Sequence, residues 1–117
     1  MRDRGKMGED AAAKYLKKLG YKILEQNYFC RMGEIDIIAR DKEYIVFVEV
    51  KLRKNNDFGG APAAVDKRKQ EKIKRTALFY LQTNHIESAV RFDVVLITAS
   101  DTKFRKEDIE VIPDAFF

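Results

Sequence analysis

Apolar residues return every three or four positions between Lys6 and Leu19, where Met7, Ala11, Ala12, Tyr15, Leu16 and Leu19 fall on one side of a helix. Gly20 follows as the expected stop, a residue able to turn left-handed and cap a helix C-terminus. From there the period shortens to two. "YKILEQNYFCR" alternates loosely and predicts a first strand; "EIDIIAR" and "YIVFVEVKL", rich in β-branched and aromatic residues, predict a second and a third. Paired Asn, paired Gly and Pro62 mark "RKNNDFGGAPA" as a loop. Helical spacing resumes from about Ala64 to Thr83, with Val65, Ile73, Ala77, Tyr80 and Leu81 on the apolar side. "VRFDVVLITA" predicts a fourth strand, and Ile109 to Ile112 a short edge strand. The order α-β-β-β-α-β belongs to the α/β class, a mixed sheet with helices packed on it.

The second and third strands carry charge where a plain scaffold would not. With the turn centred between Lys42 and Glu43, Asp36 lies opposite Glu49 and Glu34 opposite Lys51. A side-chain period of two keeps these four on one face, and puts Ile35, Ile37, Ala39, Tyr44, Val46, Val48 and Val50 on the other. Two carboxylates roughly 5 Å apart, at an effective dielectric near 20, repel by about 3 kcal/mol. Lys51, a raised pKa on one acid, or a bound cation would offset that repulsion. A hard divalent cation such as Mg²⁺ takes carboxylate, carbonyl and water oxygens. Asp36 and Glu49 are the candidate metal ligands, with the Val50 carbonyl a third, and Lys51 faces a phosphate or the attacking water. Such a set suits metal-assisted phosphodiester hydrolysis. The competing reading is a solvated ion-pair face, since antiparallel hairpins often keep one face polar. Glu34 reads as a partner that holds Lys51, with a direct metal ligand as the alternative.

Composition narrows the options. A chain of 117 residues predicts one domain over its whole length. No apolar run approaches the roughly 20 residues that span a bilayer, and the N-terminus has no apolar signal core. One cysteine, Cys30, excludes an internal disulfide, and with the single His85 it cannot build a structural zinc site. The cytoplasm is the expected compartment. A net charge of +4 leans towards an anionic partner. The densest basic run, "DKRKQEKIKR" on the second helix, offers Lys67, Lys69 and Lys72 as phosphate contacts, against the alternative of a solvated helix face. Arg31, Arg53 and Lys54 flank the strand ends near the acids and are candidates of the same kind. Asp93 reads as a structural partner of Arg91. Aromatic residues are scattered through the chain, so no single-strand stacking platform is indicated. The "NNDFGGAP" loop is placed to act as a flap over the substrate.

An acid on one strand followed by E-x-K on the next resembles the PD-(D/E)XK nuclease superfamily, the restriction-endonuclease-like fold. More specifically, "GEDAAAKYLKKLGYKILEQN", "GEIDIIARD", "VFVEVKLR", "FGGAPAAVDKRKQEKI" and "RFDVV", in that order, resemble the bacterial YraN-like family of predicted endonucleases. The resemblance runs from about Lys6 to Phe117. It implies a mixed sheet flanked by helices, with Asp36, Glu49 and Lys51 as the metal and catalytic triad. Glu9 matches the extra acid that Holliday-junction-resolvase-like members carry on the first helix, and Gln70 the helix glutamine that some members place near the metal. Two departures stand out: Ile35 replaces the signature proline, and Ala64 sits where the family often has an acid. The implied function is a Mg²⁺- or Mn²⁺-dependent nuclease acting on DNA, branched DNA included, selective for structure over sequence and able to work as a homodimer. The alternative is a non-catalytic nucleic-acid-binding or assembly module on the same fold.

Overall fold

The computed structural model describes residues 4–53, 65–98 and 108–116. Lys54, the "NNDFGGAP" loop and Ala64 lie outside the described residues. Two helices and five strands follow in the order α1 (Arg4–Lys18), β1 (Lys22–Cys30), β2 (Gly33–Asp41), β3 (Tyr44–Arg53), α2 (Lys67–Thr83), β4 (Ala89–Thr98) and β5 (Ile109–Phe116). The strands form one sheet in sequence order. Pairing is antiparallel except between β3 and β4, which run parallel. Parallel neighbours need a crossover, and α2 supplies it. This is the expected α/β architecture, a mixed sheet flanked by helices and compatible with the restriction-endonuclease-like fold.

Both helices end by the same device. In α1 the Gly20 N–H donates to the Lys17 carbonyl and the Tyr21 N–H to Leu16, with Gly20 left-handed at φ 100°. In α2 the His85 N–H donates to Gln82 and the Ile86 N–H to Leu81, with His85 in the same conformation at φ 54°. His85 therefore terminates a helix. Lys67 opens α2, later than the spacing from Ala64 suggested, because Asp66 is extended and its carboxylate caps the Lys69 N–H at 2.8 Å.

The sheet is buried on both faces. On one, Ala12, Ala13 and Leu16 of α1 cover Ile37, Ala39, Val46, Val48, Val95 and Ile97. On the other, Ile73, Ala77 and Tyr80 of α2 cover Ile38, Ile45, Phe47, Val94 and Leu96. Small residues let α1 lie close to the β-branched surface. The α2 side is aromatic. Tyr28 and Phe47 meet Tyr80 edge-on at 5.1 and 6.0 Å, and Phe47, Phe92 and Phe116 continue the row in stacked contacts of 5.7 and 5.3 Å. That row ties both edge strands to the centre. The edge strand β5 extends well past the expected Ile112, because an edge position tolerates Pro113.

One expectation about the faces needs correcting. Strict alternation put Ile35 with Ile37, yet Ile35 packs on the α2 side with Ile38. The regular pairing of β2 with β3 stops at Ile37–Val48. Across β2, the β1 residue Asn27 is left-handed at φ 55° and interrupts the ladder between the pairs Gln26–Ile37 and Tyr28–Ile35. The row through Asn27 and Asp36 is therefore irregular, and parity does not carry across it.

Candidate functional site

The turn between β2 and β3 is two residues long, which places Asp41 opposite Tyr44 and carries the expected register down to Ile37–Val48. Beyond that pair the Asp36 side chain stands in for a rung of the ladder: its Oδ2 accepts the Val50 N–H at 2.8 Å. The amide and carbonyl of one strand residue point to the same side, so the Val50 carbonyl also faces the β2 side, beside Asp36. Glu49 precedes it on the α2 face, where Lys69 Nζ approaches Glu49 Oε2 at 3.5 Å. The Glu49 side chain is only 13% exposed. Burial pushes its carboxyl up to about 8; the neighbouring Asp36 carboxylate adds to the rise and Lys69 opposes it. The two carboxyl groups are therefore close electrostatic neighbours.

Glu9, on α1, approaches the same place from the other face. Burial raises its pKa first and Asp36 second, while Lys6 and the Asn27 side chain draw it down. Glu9 Oε1 is buried without a hydrogen-bond partner among the described residues. The helix is pinned there by its next residue: Gln26 of β1 donates to Asp10 at 3.1 Å, and Lys6 pairs with Asp10 at 3.7 Å. Asn27, adjacent to Gln26 and left-handed, lies near enough to Glu9 to draw its pKa down. That residue was missed from the sequence, although Asn inside a strand pattern is a hint of left-handed geometry.

The other expected residues divide. β3 runs regularly beside β4 from Tyr44 to Arg53, so Lys51 follows Glu49 on the same face and is exposed. Glu34 is not its partner across the sheet. The β2–β3 ladder ends too early, and Glu34 pairs with Phe29 of β1 instead. Gln70 donates to the Val65 carbonyl at 2.8 Å and so braces the start of α2. Arg53 donates to Thr98 at 2.9 Å and approaches Glu110 at 3.8 Å, which ties β3 to β4 and β5. The Arg31 guanidinium lies 5.8 Å from the centre of the Phe79 ring on α2. Lys72 lines an open cleft with Phe29, Gly33, Glu34, Lys69 and Ile73, and Lys67 is exposed at the helix start. Asp93 pairs with Arg91, as read from the sequence.

Residues 8–97 match the profile of a family described as the uncharacterised protein family UPF0102. The chain belongs to that family, the YraN family whose motifs its strands carry. A UPF0102 protein of Syntrophus aciditrophicus is 53% identical over 113 residues, covering 96% of this chain and 87% of the relative. One from Moorella thermoacetica is 45% identical over 116 residues, covering 98% and 96%. One from Caldanaerobacter subterraneus is 44% identical over 113 residues, covering 96% and 93%. The UPF0102 profile takes in α1 from Gly8, the hairpin, α2 and nearly all of β4, so every residue of the acidic site lies inside the matched region. Among the described residues no helix is long and apolar enough to cross a membrane.

Proposed function

We propose that this UPF0102 protein is a divalent-metal-dependent nuclease that hydrolyses phosphodiester bonds in DNA. The observation that carries the reading is the Asp36–Glu49 pair, two neighbouring carboxyl groups in a half-buried niche, with Lys69 as the cation beside Glu49. A carboxyl that must hold a proton near neutral pH to relieve its neighbour is suited to exchange that proton for a cation. The residues fit Mg²⁺ or Mn²⁺: all the donors are hard oxygens, and Glu9 adds a buried oxygen that lacks a partner among the described residues. Among the described residues no three His, Cys, Asp or Glu side chains group as a ligand set; Mg²⁺ usually takes only one or two protein carboxylates.

Asp36, Glu49 and the Val50 carbonyl would hold the ion. When bound it supplies Lewis-acid polarisation of the phosphoryl oxygen and acidifies a water. Lys51, exposed beside Glu49, neutralises charge that develops on the phosphate as the nucleophile adds. Glu9 orients water through its unpartnered oxygen. Lys69, Lys72 and Arg31 meet the phosphate backbone without reading sequence. The test is cleavage of single-stranded, duplex, flap and four-way-junction DNA, and of RNA, with Mn²⁺, beside Glu49→Gln purified identically. Cleavage by wild type alone is the expected result. Tight, salt-sensitive binding with no turnover and no response to metal would move the protein to the binding-module reading.

A further inference from the structure

One exposed aromatic stands apart from the aromatic row. Phe29 is 76% exposed, at the end of β1, paired with Glu34 across β2. A phenyl ring left in water forfeits its hydrophobic burial, which makes the position notable but does not explain it. Its surroundings do. The β1–β2 turn is pressed onto α2: a Cβ on Gly33, at φ 146°, would come within 2.9 Å of Thr76 Oγ1 and 3.4 Å of Lys72 Cγ. That close approach sets Phe29 over the cleft that Lys69 and Lys72 line, of about 160 Å³. Lys69, Lys72, Thr76 and Phe79 recur at helical spacing along one side of α2, and Arg31 covers Phe79 at its far end. The stripe starts at Glu49, through Lys69, and so begins at the acidic site.

Cations of this stripe bracket an exposed ring, with the single acid Glu34 on the cleft wall. Lysines contact phosphates, and a ring face stacks on any base, but only on a base that has left its own stack. We propose that the Phe29 cleft takes an unpaired nucleotide next to the phosphate that a metal ion at Asp36 and Glu49 would hold. The inference rests on the nuclease reading for the direction of the strand, and it narrows the substrate to nucleic acid with an unpaired residue beside the cleavage point, such as a flap, a frayed end or a branch. Continuous duplex lacks such a base.

The test is binding in EDTA, which separates it from catalysis. Fluorescently labelled DNA with a five-nucleotide overhang, and a blunt duplex of equal charge, are titrated with wild type, Phe29→Ala and Phe29→Tyr. Wild type is expected to prefer the overhang by about ten-fold, within the range that base–aromatic stacking contributes. Phe29→Ala should lose that preference with duplex affinity unchanged within two-fold, and Phe29→Tyr should keep it. A 2-aminopurine in the overhang should be quenched by wild type and not by Phe29→Ala. No overhang preference in wild type, or an equal preference in Phe29→Ala, overturns the proposal. Cleavage that ignores Phe29 would leave the nuclease reading standing alone, whereas Phe29-dependent binding without cleavage under any metal would leave the cleft without the nuclease.

Discussion

Two aspartates in this protein perform the same local task and meet opposite surroundings. Asp36 replaces a rung of the β2–β3 ladder by accepting the Val50 N–H, and Asp93 does so between β4 and β5 by accepting the Asp114 N–H at 3.0 Å. The register of β4 with β5 slips between Phe92 and Val94, as the regular β2–β3 ladder stops short of Asp36. Around Asp93, which is fully buried, the account closes. Arg91 donates to both of its oxygens at 2.9 Å, Tyr21 donates to Oδ2 at 3.0 Å, and Arg91 continues to Asp41 at 3.0 Å while lying 5.8 and 5.3 Å from the rings of Tyr21 and Tyr44. Around Asp36 it does not close. Its near neighbours are Glu49 and Glu9, both acids with raised pKa values, and one oxygen of Glu9 has no partner among the described residues. A satisfied buried acid holds structure together. A crowded, under-satisfied one is what the proposed cation would relieve.

The largest effects should therefore separate the two sites by kind. Asp36→Asn, Glu49→Gln and Lys51→Ala are expected to lower cleavage with Mn²⁺ by at least about 100-fold each, the low end for loss of one electrostatic group in a reacting site. The unfolding midpoints of Asp36→Asn and Glu49→Gln should stay at or above the wild-type value in EDTA, because each change removes a source of repulsion. Asp93→Asn, by contrast, should leave the rate per folded molecule unaltered. Cleavage by Asp36→Asn at the wild-type rate would sink the distinction outright.

Arg91→Ala should be the most destabilising of the comparison. It strands Asp93 in a site with no exposure, and removing one partner of a buried ion pair costs about 3–5 kcal/mol. Urea unfolding would show this as a lowered midpoint with unchanged slope. A loss below about 1 kcal/mol would mean that Tyr21 and the Asp114 amide suffice.

How much of this was legible before the fold was known differs between the sites. The acidic pair was readable because a two-residue turn fixes the register, and register sets which side chains meet. What happens one row further was not. Asn27 takes a left-handed conformation inside a strand, and Asp36 spends its carboxylate on a backbone amide, so Ile35 changes face and Glu34 meets Phe29. Alternation assumes an unbroken ladder and has no means of flagging the break. Asp93 and Arg91 were joined because they sit two apart on one strand. Tyr21, 70 residues away from Arg91, left no local trace of its place in that network. The same blindness applies to Phe29 and Lys72, which only the seating of Gly33 on α2 brings together.

A smaller effect tests the crowding itself through pH. With its folded pKa raised from 4.5 to about 8, Glu49 favours the protonated state in the native protein. Its contribution to stability is then fully present below about pH 4.5 and is lost as pH rises through about 8. In EDTA the melting temperature should fall between pH 5.5 and 8.5, by an amount worth a few kcal/mol at most given the coupling to Asp36. Glu49→Gln should flatten that fall, and saturating Mn²⁺ should raise the wild-type curve most at the alkaline end. A wild-type curve as flat as that of Glu49→Gln would show that the two carboxylates do not contend.

The smallest effect concerns the rim, where charge acts without burial. Lys72 is exposed, has its stem against the Gly33 turn, and lines the cleft. Lys72→Ala should weaken binding to duplex and to overhang DNA alike, since a phosphate contact carries no sequence or pairing information. The salt dependence should become shallower by about one unit of slope, the signature of one fewer counterion released. Lys17, equally exposed but at the end of α1 and away from the stripe, is the control. If Lys17→Ala reduced the slope as much as Lys72→Ala, the attraction would belong to the net charge of the whole chain, and the α2 stripe would lose its claim to the strand. A slope change confined to Lys72, together with an overhang preference that depends on Phe29, would separate two roles within one cleft, with charge holding the strand and the ring choosing the unpaired base.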